Sequence, residues 1–382
     1  LWLPETAANA DVMDELIDHS MRFDILAQHQ ASSIRPVEGG EWVDVGESGV
    51  DPSSPYLYRH RDGSGRSIIV FLYDGRLAHQ LSFGDALESS TRFVRRVREA
   101  SARRKEGPLV HAAADGETAG HHTPWGDRVL AHALTRALGR SQIDVSSYAA
   151  LLDQLEPRLE IEINEGPDGE GTAWSCAHGV GRWIRDCGCS TTHTPGWNQD
   201  WRAGLRAALD LLRDTASPWF EAEAAKIFED PWVARDDYVR VLLDPGDASR
   251  TRFLEQHGRP GITPEAGRRG IELLELQHQL ILQYTSCGWF FDDIGGIESR
   301  QVLRYAARAI EIWAGLGGTP PVDEFLELLR SAASNDPRVG SGAAFFATIR
   351  EEDAVDHRKL LGIALIHSDE TGHDEGHFGC WS

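Results

Sequence analysis

The sequence predicts an α/β fold in which strand–helix units build a parallel sheet, followed by a mainly α-helical domain. Three observations carry this expectation. Apolar runs of strand length alternate with amphipathic stretches over residues 1–144. Beyond residue 145 the apolar residues recur at helical spacing, between Pro- and Gly-rich breaks. The chain has 382 residues, 41 % of them hydrophobic, which is more than one average domain and enough for a sizeable core. Two domains are therefore expected, 1–144 and 145–382, the second completing a substrate cleft with the first.

The elements follow in order. Leu1-Trp2-Leu3-Pro4 reads as a short buried strand and Asp11 to Met21 as an amphipathic helix. Phe23-Asp24-Ile25-Leu26-Ala27 is a second strand. Residues 31–66 are polar and rich in Gly, Pro and Ser, which predicts a functional loop or insertion. Ile68-Ile69-Val70-Phe71-Leu72-Tyr73 is a strong buried strand. Phe83 to Arg104 reads as a helix whose basic end suits the helix dipole. Leu109 to Ala114 reads as a further strand, and Asp127 to Leu138 as a helix stopped by Gly139. Ile161-Glu162-Ile163 is a last, edge strand. Trp201 to Asp214, Ile271 to Tyr284 and Val302 to Leu316 are helices of the second domain.

Composition excludes several partners. The net charge of −22, from 60 acidic and 38 basic residues, repels phosphate backbones and argues against nucleic acid. A neutral ligand is compatible with that field. Lys105, Lys226 and Lys359 are the three lysines, a bias attributed to coding first. No run reaches the ~18 apolar residues of a membrane helix, so no membrane partner is expected. The chain opens on Leu1 with neither Met nor leader, so residue 1 is expected to be interior to a longer protein, placed in the cytoplasm. Cys176, Cys187, Cys189, Cys287 and Cys380 are odd in number, so no disulfide framework is implied.

In parallel α/β folds, open or barrel, chemistry gathers at the C-terminal ends of strands. Glu5, Asp74 and Asp115 all fall at such ends. One strand-end acid means little, because polar residues commonly end strands; three on neighbouring strands mean more. Asp74 begins an Asp-Gly pair and is read as a turn residue.

Trp2-Leu3-Pro4-Glu5 resembles the Trp-Leu-x-Glu motif of glycoside hydrolase family 57. Asp115-Gly116-Glu117-Thr118-Ala119-Gly120-His121-His122 resembles that family's later Asp-x-Glu-x-x-Gly-His motif, in the same order. Four further segments resemble a helical C-terminal domain that accompanies one branch of the family: Trp174 to Gly179, Asp186 to Cys189, Gly196 to Arg202 and Thr285 to Asp293. The resemblance implies an N-terminally truncated fragment of a (β/α)7 barrel followed by this domain. It implies a retaining glycoside hydrolase or glucanotransferase acting on α-linked glucans, with Glu5 as nucleophile and Asp115 as general acid/base. Retention needs the two carboxyl groups about 5–5.5 Å apart, one attacking the anomeric carbon and the other handling the proton. The competing reading of Glu5 is a structural carboxylate paired with an arginine.

Around this pair, Trp2, His29, Glu117, His121 and His122 are expected to bind sugar hydroxyls or brace their loops. Trp197, Trp201 and Trp289 lie in polar, Gly-flanked segments and are expected to stack on sugar rings. Asp292 is assigned to substrate binding with them. Cys176, His178, Cys187 and Cys189 are a possible set of zinc ligands. Their Cys-x-His and Cys-x-Cys spacings are tighter than the usual knuckle, so the expectation is burial or cleft hydrogen bonding, with no metal and no organic cofactor. Two readings compete with the glycosidase. One is a metal-dependent deacetylase or α-mannosidase-like enzyme using Asp74, Asp115, His121 and His122. The other is a glycan-binding protein without turnover.

Overall fold

A computed structural model describes residues 1–46, 49–353, 361–362 and 365–366. Lys359 and Cys380 lie outside the described residues. The chain divides into two compact units, Leu1–Gly181 and Arg182–Ser382.

The first unit is built on a six-stranded mixed sheet. Its strands are β1 (Phe23–Ala27), β2 (Ala31–Pro36), β3 (Val43–Asp44), β4 (Tyr56–Arg59), β5 (Ser67–Tyr73) and β6 (Leu159–Ile163), in the order β1-β5-β4-β6-β2-β3. β1 and β5 are parallel, with Ile25 opposite Phe71 and Ala27 opposite Tyr73. β4 pairs antiparallel to β5, and β2 antiparallel to both β6 and β3. The sheet is therefore mixed and open at β1 and β3, not the all-parallel arrangement that alternating strand–helix units predict.

Helices of this unit are α1 (Ala10–Asp18), α2 (Gly75–Ser82), α3 (Ser90–Ala102), α4 (Gly126–His132) and the single turn α5 (Tyr148–Leu151). On one face of the sheet, Leu26, Val70, Leu72, Ile161 and Ile163 pack with Met13, Leu16 and Ile17 of α1. On the other, Ile25, Ala27 and Tyr73 pack with Ala78, Ala113, Tyr148 and Trp174. Side chains alternate between faces at period two. Because both faces of β5 are covered, its sequence reads as one continuous apolar run.

Several expectations are corrected. Leu1 to Pro4 is not a strand; Pro4–Thr6 form a 3-10 turn, with φ of 57° at Glu5 and 52° at Thr6. The polar stretch 31–66 contains β2, β3 and β4. Its polar strand residues are satisfied inside the sheet: Glu160, 3 % exposed, accepts from Arg35 and Arg59 across the ladder. Burial pushes the Glu160 carboxyl up, and those two guanidinium bonds bring it below the ordinary range. The expected helix 83–104 is the 3-10 turn Ala86–Glu88 followed by α3, with α2 ending just before it. Leu109 to Ala114 belongs to none of the named strands; Leu109 N–H donates to the Ser53 carbonyl and Asp74 N–H to the His111 carbonyl. β6 lies between β4 and β2, so it is not an edge strand.

Among its described residues, the named elements of the second unit are helical: α6 (Trp201–Ala224), α7 (Pro231–Asp237), α8 (Val239–Leu243), α9 (Asp247–His257), α10 (Pro264–Leu282), α11 (Cys287–Phe290), α12 (Ile297–Gly315), α13 (Val322–Ser331) and α14 (Gly342–Asp353), with the short 3-10 turn Gly181–Trp183 preceding them. The three helices expected from periodicity are α6, α10 and α12, each longer than its apolar stripe. No helix among the described residues is long and apolar enough to cross a membrane.

Candidate active site

Glu5 sits in the Pro4–Thr6 turn. Pro4 has no N–H to lose at the start of that turn, and the left-handed backbone at Glu5 and Thr6 is costly for residues with side chains. Hydrogen bonds hold it. Thr6 N–H donates to the Leu3 carbonyl at 2.9 Å, and Trp174 N–H to the Glu5 carbonyl at 3.1 Å. The buried Gln30 amide donates to the Thr6 carbonyl at 2.7 Å while its oxygen accepts from Ala27 N–H at 2.8 Å. The end of β1 is thereby tied to the turn.

Among the described residues, the Glu5 carboxylate is paired with no arginine. Its Oε2 accepts from Ser175 Oγ at 2.8 Å and from the Trp174 indole N–H at 3.2 Å. The Trp2 ring meets the Trp174 ring edge-on at 5.2 Å, and its N–H donates to Thr6 Oγ1 at 2.9 Å. Trp2 is 38 % exposed, so its free surface is open to a ligand. Trp174 and Ser175 are direct contacts of Glu5 that residue-type reasoning missed; the signal was their polar, Gly-flanked segment.

His29 follows β1 in the turn Gln28–Gln30, and its Nε2 meets the Ala173 carbonyl at 3.1 Å, next to Trp174. It belongs to the same rim as Glu5. Asp115 precedes the 3-10 turn Gly116–Thr118 and is exposed. Its carboxyl is held above the ordinary range, first by partial desolvation, then by the charges of Glu5 and Glu117; His122 opposes them. Glu5 and Asp115 therefore lie within reach of one another's field, across 110 residues of sequence.

The loop after Asp115 gathers the other expected residues. His121 and His122 N–H groups both donate to the Glu117 carbonyl at 3.1 Å, and the His122 ring lies 3.8 Å from the Glu117 carboxylate. The two imidazoles meet at 4.9 Å. Trp125 follows in left-handed backbone, 65 % exposed, with the Arg128 guanidinium 4.3 Å over its ring. It is a further exposed aromatic that the sequence reading passed over, inside Pro124-Trp125-Gly126.

Asp74 behaves as a turn residue: it caps α2 through Leu77 N–H at 2.9 Å and pairs with Arg103 at 3.0 Å. Among the described residues, Asp74, Asp115, His121 and His122 form no group of converging metal ligands. Cys176, His178, Cys187 and Cys189 do converge, with one ligand atom from each lying within 4.8 Å of the others.

In the second unit the aromatic expectations divide. Trp201 and Trp289 are 0 % and 1 % exposed, so they are core residues and cannot stack on a sugar. Their indole N–H groups are satisfied internally, by Gln199 Oε1 at 3.0 Å and by the Arg202 carbonyl at 3.3 Å. Trp197 is 40 % exposed and keeps an open ring. Asp292 is 4 % exposed and accepts from Ser190, from both N–H and O–H of Thr191, and from both N–H and O–H of Thr192. Burial pushes its carboxyl up, but those bonds pull it well below the usual carboxylate range. It is a loop anchor with its acceptor capacity spent, and not a sugar ligand.

Comparison with known proteins bears on the fold. The family "Domain of unknown function (DUF3536)" matches residues 197–379. No curated protein matches the chain. The structure is similar to that of an exo-type maltose-forming amylase from Pyrococcus sp. ST04, with TM-score 0.59, 12 % identity, and coverage of 95 % of this chain and 70 % of the amylase. It also matches a 4-alpha-glucanotransferase from Thermococcus litoralis, with TM-score 0.41, 14 % identity, and 81 % and 41 % of the two chains covered. A third match is a GH57 branching enzyme from the hyperthermophilic archaeon Thermococcus kodakaraensis, with TM-score 0.45, 14 % identity, and 84 % and 57 % covered. The chain spans 41 % and 57 % of the lengths of the latter two. In fold, the chain is similar to glycoside hydrolase family 57 enzymes.

Proposed function

We propose that this chain carries the catalytic carboxylates of a retaining glycoside hydrolase or glucanotransferase acting on α-linked glucans or oligosaccharides. Its first unit is then part of a (β/α)7-type barrel. The observation that carries the reading is the electrostatic pairing of Glu5 with Asp115. A carboxyl group whose surroundings raise its proton affinity is suited to the acid role beside a second carboxylate. Asp115 is pushed up by desolvation and by the Glu5 charge. Glu5 has two donors on Oε2, which stabilise negative charge there.

The chemistry follows from that division. Glu5 Oε1 attacks the anomeric carbon as the glycosidic bond breaks, and Asp115 gives its proton to the leaving oxygen. A glycosyl ester on Glu5 results. Asp115, now ionised, takes a proton from water or from an acceptor sugar hydroxyl, whose oxygen attacks the same carbon and frees Glu5. Water gives hydrolysis and a sugar hydroxyl gives transfer. Trp2 and Trp125 supply exposed ring faces suited to sugar stacking. His29, Glu117, His121 and His122 supply polar groups for hydroxyls around the same rim.

The test is product analysis with maltooligosaccharides, following the anomeric proton by NMR. Turnover with the α-anomer appearing first supports the reading. Initial release of the β-anomer contradicts the double displacement, and saturable binding without turnover contradicts the enzyme.

A further inference from the structure

We infer that Cys176, His178, Cys187 and Cys189 form a structural zinc site. The four ligand atoms come from one short stretch of chain and lie within 4.8 Å of one another. A tetrahedral zinc with Zn–S of about 2.3 Å and Zn–N of about 2.0 Å sets its ligand atoms roughly 3.8 Å apart or less. The set therefore needs to close by about 1 Å at most to hold the ion. Three thiols and one imidazole are the Cys₃His donor set of closed structural zinc sites, and soft thiolates select zinc over hard cations. Four protein ligands leave no open position for substrate, which makes the site structural and not catalytic.

The backbone around the ligands is shaped for convergence. Between Cys187 and Cys189, Gly188 adopts φ of +79°, a left-handed value that a side chain disfavours. Its N–H donates to Asp186 Oδ1 at 2.8 Å, folding the Cys187-Gly188-Cys189 turn back on itself. The Cys189 carbonyl accepts from the buried Arg202 guanidinium at 3.0 Å. At the other end, Gly179 has φ of +70°, and a Cβ there would meet the Gly171 carbonyl oxygen at 2.5 Å. Cys176 is buried, Cys187 and Cys189 are half-buried and His178 is exposed. Zn²⁺ with three thiolates and a neutral imidazole carries a net charge of −1, a match for the adjacent arginine.

Spacing alone argued against a metal, because Cys-x-His and Cys-x-Cys depart from the usual knuckle. Ligation depends on where the atoms meet, not on a spacing rule. Binding releases three thiol protons and involves no redox change: Zn²⁺ plus three S–H and one imidazole give the complex and three H⁺. Cys176 directly follows Trp174 and Ser175, the two donors to Glu5, so the ion would also fix the segment that carries them.

The test needs no activity and does not depend on the role of Glu5. The full chain is purified without an affinity metal, dialysed, and its metal content measured by mass spectrometry. One equivalent of zinc is expected. A mercurial titration is expected to release it in step with the loss of three thiols. Cobalt replacement is expected to give the visible bands of a tetrahedral thiolate site. Cys189→Ser is expected to lower zinc content at least tenfold; if that variant does not fold, zinc release from the unaltered chain carries the test. A folded chain with less than about a tenth of an equivalent of zinc, iron in its place, or two of these cysteines joined as a disulfide would overturn the inference.

Discussion

The Glu5 turn and the Asp115 loop carry the same functional group in opposite settings. Glu5 is fixed: left-handed backbone, a main-chain bond from Trp174, and side-chain bonds from Trp174 and Ser175 to one oxygen. Asp115 is exposed, receives no capping bond from its own turn, and is tuned by field and desolvation. A nucleophile must present one lone pair along one line, so rigidity serves it. A general acid/base must gain and lose a proton once per cycle, so reach to solvent and an adjustable proton affinity serve it. Asp292 shows a third outcome. With several donors on its carboxylate it is held ionised and has nothing left to offer a ligand.

That contrast can be broken by substitution, beginning with the largest effect. Glu5→Gln removes the attacking atom and is expected to lower kcat more than about 10⁴-fold, as losses of covalent nucleophiles do, measured as maltooligosaccharide turnover with folding checked by circular dichroism. Asp115→Asn is expected to cost about 10²–10⁴-fold. That loss should shrink for substrates whose leaving group needs no proton. Asp292→Asn should spare chemistry and instead destabilise the fold by roughly 3 kcal/mol, because charged acceptors in buried networks are costly to remove. Its native carboxyl is depressed, so the stability it contributes is present above the unfolded pKa of about 3.9 and is lost as pH falls below it. Urea midpoints at pH 3 to 7 would show the variant's curve flattened on the acid side. Ser175→Ala removes one donor to Glu5 and is expected to lower kcat/KM about tenfold, near 1.4 kcal/mol, without changing thermal stability by more than a fraction of that. Glu117→Gln has the smallest effect. Removing a charge that raises the Asp115 pKa should move the alkaline limb of the kcat profile to lower pH.

Legibility in the sequence followed the physics of each segment. β1 and β5 were readable because both are covered on two faces, which makes β5 apolar from Ile68 to Tyr73 and β1 apolar apart from the buried Asp24. β2 and β4 were not, because Ser33, Arg35 and Arg59 bond to carboxylates on β6 and pairing across a ladder leaves no trace in hydropathy. The two motif acids were visible as residues at the ends of apolar runs, although the Glu5 run proved to be a turn and the Asp115 run an irregular segment outside the named strands. Trp201 and Trp289 misled because polar neighbours suggested a cleft, whereas a helix start and a turn put both rings in the core. Trp174 and Ser175 went unassigned as Glu5 partners because their role depends on a contact across 169 and 170 residues. The Cys/His set was visible by residue type, yet only the fold brings its four atoms together.

The central claim is that Glu5 is the covalent nucleophile. Its most direct test is incubation of the full chain with a mechanism-based fluoro-glucoside, followed by intact mass spectrometry and peptide mapping. One glycosyl adduct, mapped to the peptide that contains Glu5 and absent from Glu5→Gln, is the result predicted here. An adduct on another carboxylate, or turnover of the probe with no adduct at all, would contradict it.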